Sequence, residues 1–272
     1  VGEYAREALK RGLLMEAKLG VNPFKFGMIG AGDLHTGLST SEENNHMGET
    51  VRVEPRADRA MISEKRGSVM RYAWQSLSAG LAAVWATSNT REAIFDAMRR
   101  REVYATTGTR MSVRVFGGWD FKQADLISDW VKAGYARGVP MGGDLKPGKG
   151  RAPVFMISAL KDAAGANLDR VQIVKGWEDK AGKAHERIFD VAWSNADTRP
   201  IGRNGKLAPV GDTVDIATAT YANSIGAPEL RTIWRDPSFN PKAKAFYYAR
   251  ILEIPTPRWP AYDVARFGGK LV

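Results

Sequence analysis

Cysteine is absent from the 272 residues. That excludes disulfide scaffolds, thiolate zinc sites and cysteine nucleophiles, and it leaves the compartment open. Histidine is scarce: His35, His46 and His185 are the full set. Three imidazoles do not build a histidine-rich multinuclear metal centre unaided. No apolar run approaches the ~20 residues that a membrane-spanning helix needs, the longest nearly unbroken one being Ala79 to Ala86. No G-x-S-x-G elbow occurs, so a serine hydrolase lacks its main warrant. Charge is plentiful but not gathered. The net value is +10, with 16 basic against 13 acidic residues up to Arg110 and 24 against 17 after it. The one basic cluster, Arg99-Arg100-Arg101, ends a predicted helix, where cations oppose the negative end of the macrodipole. No nucleic-acid partner and no membrane span are expected, and the diffuse positive charge suits a small polar or anionic substrate. The chain opens on Val1 with nothing like a signal peptide, which leads us to expect a processed chain or a piece of something longer.

With 44% apolar and 26% charged residues, a chain of this length has ample material for a core. The first part mixes periods. Ala5, Leu9 and Leu13 predict a helix over Glu3 to Leu19, stopped by Gly20. Phe24 to Ala31 reads as a short buried strand, Gly80 to Trp85 as another, and Val103 to Ala105 as a third. Between the last two, Asn89-Thr90-Arg91-Glu92 has the form of a capping box opening a helix. A polar passage from Thr36 to about Arg71 is long enough to be functional or to carry structure of its own. This rhythm is that of an α/β layer or barrel. From Arg110 onward the period becomes two: Met111, Val113 and Val115, then Val171 and Ile173, then Phe189, Val191 and Trp193. Val154 to Leu160 and Ala245 to Ile254 are apolar on both faces, as central strands are. Turns such as Ala164-Gly165-Ala166-Asn167 separate these runs, and a β-sandwich follows from the spacing.

The most suggestive local feature is Gly30-Ala31-Gly32-Asp33-Leu34-His35-Thr36. A carboxylate and an imidazole two residues apart, just beyond a predicted strand, can both face a cleft at its C-terminal end. Hard or borderline divalent metals accept this O/N pair. The competing reading makes Asp33 a turn cap and His35 a surface residue, and two ligands do not make a site. His46 lies in the loop that follows and could approach the same cleft, as could Glu42 and Glu43. His185 reads as a surface residue at the start of a strand. Gly143 to Gly150 nearly matches a phosphate-binding loop, but Gly150 replaces the Ser/Thr that holds magnesium and a strand follows instead of a helix. Trp119, Trp177, Trp193, Trp234 and Trp259 suit core packing first and a sugar-stacking face second.

The run Val21-Asn22-Pro23-Phe24-Lys25-Phe26-Gly27 leading into Gly32-Asp33-Leu34-His35-Thr36-Gly37-Leu38 resembles the closing metal motif of the PHP superfamily (polymerase and histidinol phosphatase). It is most similar to the bacterial branch called domain of unknown function 3604. Asn89 to Gly108, Gly138 to Leu145, Leu168 to Trp177 and Ala245 to Trp259 resemble that branch as well. The resemblance implies a metal-dependent hydrolase of phosphate esters or another polar ester, holding zinc, manganese or iron, with Asp33 and His35 as metal ligands. It also implies an α+β chain: residues 1–109 as the C-terminal part of a PHP-like (β/α) barrel, and residues 110–272 as a mainly antiparallel β-sandwich-like accessory domain. Members of the superfamily open with His-x-His motifs, and none precedes Asp33 here. The chain is therefore expected to hold metal weakly or not at all alone, with the N-terminal part of the same protein as its partner. The alternative is a non-catalytic β-sandwich module that binds a glycan or a partner protein.

Overall fold

The two-residue period after Arg110 becomes two antiparallel sheets packed face to face. The computed structural model describes residues 4–269 apart from 39, 41 and 79. Glu3 and Ala79, which bound two of the predicted segments, lie outside the described residues. In chain order the elements are α1 (Ala5–Leu19), β1 (Ser63–Arg66), β2 (Val69–Tyr72), β3 (Leu81–Val84), α2 (Arg91–Arg99), β4 (Val103–Thr106) and β5 (Ser112–Gly118). There follow α3 (Trp130–Arg137), β6 (Gly138–Pro140), β7 (Val154–Leu160), β8 (Leu168–Glu178), β9 (Ala184–Trp193), β10 (Glu229–Arg235), β11 (Ala245–Glu253) and α4 (Trp259–Phe267).

One sheet has the order β10-β7-β5-β6 and the other β11-β8-β9, with every neighbouring pair antiparallel. Alternation decides which side chains meet between them. Val113, Phe155, Ile157, Ala159 and Leu230 from the first sheet close on Leu168, Val171 and Ile173 of β8. The opposite parity of the first sheet, Phe116, Val154 and Met156, packs with Phe121, Leu126 and Trp130. That face is covered by α3. Asp129 caps this helix by accepting from the Lys132 N–H at 3.2 Å, and Gly134 lets it lie on the Phe116 ring, where a Cβ would collide. On the outer face of the second sheet sits α1. Its Arg6 donates to the Tyr248 hydroxyl and pairs with Glu186, its Lys10 also pairs with Glu186, and its Glu16 pairs with Lys244. Gly20 ends α1 in the left-handed conformation, as expected.

The expectations of α+β structure and of antiparallel sheets are met. Among the described residues there is no closed barrel. β3 and β4 pair antiparallel, where barrel strands would run parallel. The cause is the connection. Residues 85–90 carry the chain outward and α2, about 14 Å long, carries it back, so that Val103 starts β4 beside Val84 at the end of β3. The Trp85 N–H donating to Glu102 O at 3.0 Å closes that excursion. The helix cap also sits one residue later than the capping-box spacing suggested: Thr90, not Asn89, accepts from the Ala93 N–H. Among its described residues the polar passage holds three single 3-10 turns and the β1–β2 hairpin.

Contacts run across residues 109 and 110. The Trp85 indole donates to Val113 O, and the buried Glu102 accepts from the Tyr135 hydroxyl. The C-terminal helix α4 docks on the polar passage through Arg59 and Asp263.

Candidate metal centre

Phe24 to Ala31 does not form the buried strand expected of it. It runs without assigned strand structure and half-exposed, Ile29 being 53% exposed. Its glycines explain both facts, since they bring backbone to backbone without side chains to fill a core. Gly30 N donates to Leu81 O at 3.1 Å, and Gly80 N donates to Ala31 O at 3.2 Å. A Cβ on Gly30 would stand 2.6 Å from Leu81 O and 2.7 Å from Thr106 O. Glycine is needed at that point, and the segment is thereby pinned against both β3 and β4. Immediately beyond the cradle Asp33 adopts φ +49, a left-handed conformation that Asp tolerates better than most residues.

That turn sets the carboxylate toward the imidazole. His35 Nε2 lies 3.2 Å from Asp33 Oδ1. A third residue joins them: a carboxylate oxygen of Glu49 and one ligand atom from each of Asp33 and His35 all fall within 4.8 Å of one another. The approach of Glu49 is fixed through the main chain, where the His35 N–H donates to Glu49 O at 2.9 Å. The side chains of Asp33 and His35 are 84% and 60% exposed, so the group is open to solvent on one side.

Two carboxylates and an imidazole are a donor set that suits zinc, manganese or iron. Bonds of about 2.0–2.2 Å place the ligands of one ion roughly 3–3.5 Å apart. Asp33 and His35 already stand at that spacing, and the Glu49 carboxylate lies within 4.8 Å of both. Three such ligands would leave the remaining coordination positions of an ion open.

The other sequence candidates go elsewhere. Glu43 accepts from the Trp259 N–H at 2.6 Å at the start of α4, and from Ser78 Oγ at 2.9 Å. Glu42 pairs with Arg110 at 2.9 Å. His46 turns inward, its ring 5.5 Å from that of Trp259, with Nδ1 buried and without a hydrogen-bond partner. Burial, reinforced by the charges of Arg59 and Arg258 and opposed by Glu43, pushes its pKa down to about 4. It is a neutral core histidine. His185 bonds Asp179 at 2.6 Å and stacks on Trp177. Of the tryptophans, Trp234 packs with Phe155 and Phe189, Trp193 donates to Arg199 O, the Trp119 ring lies against Gly148, and Trp259 is buried. None of these forms an exposed platform. The basic cluster is dispersed as well, Arg99 over the Phe95 ring, Arg100 on Glu102 and Arg101 on Lys25 O and Asp144.

Glu49 is the residue that spacing alone misses. It stands fourteen positions after His35 in a charged stretch, and its one local signal is the preceding Gly48, which adopts φ +94 and turns the chain back.

The molecule is thus an α+β protein of antiparallel sheets with an exposed Asp–His–Glu cluster beyond a glycine cradle. It belongs to the family described as protein of unknown function (DUF3604), which matches residues 1–272. No curated protein and no solved structure matches the chain. No helix among the described residues is long and apolar enough to cross a membrane.

Proposed function

We propose that Asp33, His35 and Glu49 supply part of the metal site of a PHP-like hydrolase that acts on phosphate esters or another polar ester. The relation to that superfamily is carried by the Asp33–His35 motif, not by the family match. The observation that supports it most is that Glu49, fourteen positions after His35, brings a third ligand atom within 4.8 Å of those of Asp33 and His35. The first expectation held only the pair. A divalent ion bound there supplies Lewis acidity and lowers the pKa of water. The chain's own residues hold and orient: the Gly30 cradle fixes the backbone, Asp33 faces His35 Nε2, and Glu49 brings the second carboxylate.

Three protein ligands do not make a multinuclear centre, so the reading requires further ligands from another stretch of the same protein. The exposed edge favours such a partner. Phe26 and Ile29 are solvent-exposed on the segment that runs along β3 and β4, and a two-stranded sheet is marginal by itself. Further strands laid along this edge would bury both residues.

The full reading frame tests the proposal. Upstream of Val1 it is expected to encode His-x-His motifs, and its product to hydrolyse p-nitrophenyl phosphate with Mn2+ present. His35→Ala is expected to slow that hydrolysis by about 100-fold or more, on the scale of disrupted metal sites. An upstream sequence without such motifs, or an H35A protein as active as its parent, contradicts the proposal.

A further inference from the structure

The β8–β9 turn and the loop over residues 239–244 bound a cleft of about 610 Å³, inside the ~300–1,000 Å³ range of small-molecule sites. It is remote in sequence from the metal cluster and does not rest on that reading. One wall is Trp177, on the central strand of its sheet. Across β9 its partner is His185, stacked on the indole at 5.5 Å and 20° and held by Asp179 at 2.6 Å. On β11 its partner is the small Ala245, and the Lys175 ammonium lies 5.3 Å from the centre of the indole ring. The space continues there as a small recess reaching Ala243 and Tyr247.

Beneath the indole the support is rigid. The buried Lys175 ammonium donates to Asp236 at 2.6 Å and to Ser238 O at 2.8 Å, while the Tyr247 hydroxyl donates to Asp236 at 2.7 Å. These groups satisfy one another, so they position Trp177 and leave recognition to the rim. At the rim Lys244 is paired with Glu16 at 3.1 Å. Lys180 and Lys242, both exposed lining residues, have no carboxylate within ion-pair reach among the described residues. Asn240, another lining residue, accepts at Oδ1 from the Lys242 N–H. Glu178 lines the cleft as an acceptor.

A flat indole fixed in place, hydroxyl-sized donors and acceptors, and two unpaired ammonium groups define the ligand. We propose that this cleft binds an acidic saccharide, with a pyranose ring against the edge that Trp177 presents to the cleft and its carboxylate or sulfate at Lys180 and Lys242. A phosphate is less suited. The backbone donors of the turn that would cradle one, Ala181 N–H and Lys183 N–H, are both taken by Asp179. Hydrogen bonds from His185 and from these amides hold that carboxyl below the ordinary carboxylate range.

The test is calorimetric titration of the purified chain with tetragalacturonate, a sulfated chondroitin tetrasaccharide, neutral cellotetraose and AMP. The carboxylated probe, the sulfated one or both are expected to bind, and which one does so identifies the acidic group. Cellotetraose and AMP are expected to bind at least about tenfold more weakly. Trp177→Ala is expected to weaken the acidic probe by about 30-fold or more, the scale of a central aromatic anchor, and Trp177→Phe by less. The K180A/K242A double variant alters exposed side chains only and tests the site even if W177A fails to fold. It is expected to weaken binding and flatten its salt dependence, whereas H35A leaves binding unchanged and so separates this site from the metal cluster. No binding of either acidic probe at millimolar concentration overturns the proposal. So does equal binding of cellotetraose, tighter binding of AMP, or indifference to K180A/K242A.

Discussion

Asp263→Ala is expected to cost about 3–5 kcal/mol of stability, the range for removing one partner of a buried ion pair. Arg59 and Asp263 join the polar passage to α4, with side chains 2% and 4% exposed. The guanidinium donates to both carboxylate oxygens, Nη2 to Oδ1 at 3.0 Å, and its Nη1 donates to Val53 O at 3.1 Å. It also lies 4.4 Å from the centre of the Trp259 ring. Truncating Asp263 strands this cation in a dry site and loosens Trp259, which is otherwise tied by Glu43 and by Ser76 O. The pair itself is close to break-even. Burial holds the Asp263 carboxyl above its ordinary pKa even with Arg59 beside it. Replacing both residues, R59M/D263L, is therefore expected to recover most of the loss. Urea unfolding of the parent, D263A and the double variant measures this. A loss under about 1 kcal/mol for D263A would remove the pair from the account of how α4 is held.

The second large effect depends on pH. His46 is 5% exposed and has a folded-state pKa of about 4, against about 6.5 in an unfolded chain. The folded state resists the proton, so the unfolded state binds it first as pH falls. The contribution of His46 is complete above about pH 6.5 and is lost progressively as pH drops through the folded value near 4. Over that window the loss is about 3 kcal/mol. His46→Phe keeps a ring against Trp259, removes the unpartnered Nδ1, and is expected to abolish this part of the acid sensitivity. Stability of the parent and H46F at pH 7, 5.5 and 4 decides the matter. Parallel curves for the two proteins would show that His46 does not titrate in this way.

Much of the β half is legible because a two-residue period leaves little choice. Val154 to Leu160 forms β7 over the predicted range, and Val171, Ile173 and Phe189 fall on strands, β8 and β9, as their alternation predicts. Glu229–Arg235 is harder to read, since Glu229, Arg231 and Arg235 mask the alternation of Leu230, Thr232 and Trp234. The α3 helix is similarly hidden: its close contact with Phe116 depends on Gly134, a residue that lowers helix propensity. In the first part the glycines mislead. Gly27 and Gly30 fall inside the strand expected over Phe24 to Ala31, yet Gly30 lets three backbones converge where no strand forms.

The candidate site divides in the same manner. Asp33 and His35 stand two residues apart, so the turn that joins them was visible in the sequence. Glu49 comes to them through a hydrogen bond between main chains, which side-chain spacing does not encode. His46 was a reasonable loop candidate, but the aromatic face of Trp259, more than two hundred residues later, draws it into the interior.

Sharing of one ion by Asp33, His35 and Glu49 is tested most directly by titrating the 15N-labelled product of the full reading frame with Mn2+ and following paramagnetic broadening of its NMR signals. The account predicts that the signals of residues 33, 35 and 49 broaden first and together at low Mn2+, that Zn2+ competes, and that H35A abolishes the effect. Broadening centred elsewhere, none at all, or an unchanged pattern in H35A would contradict it.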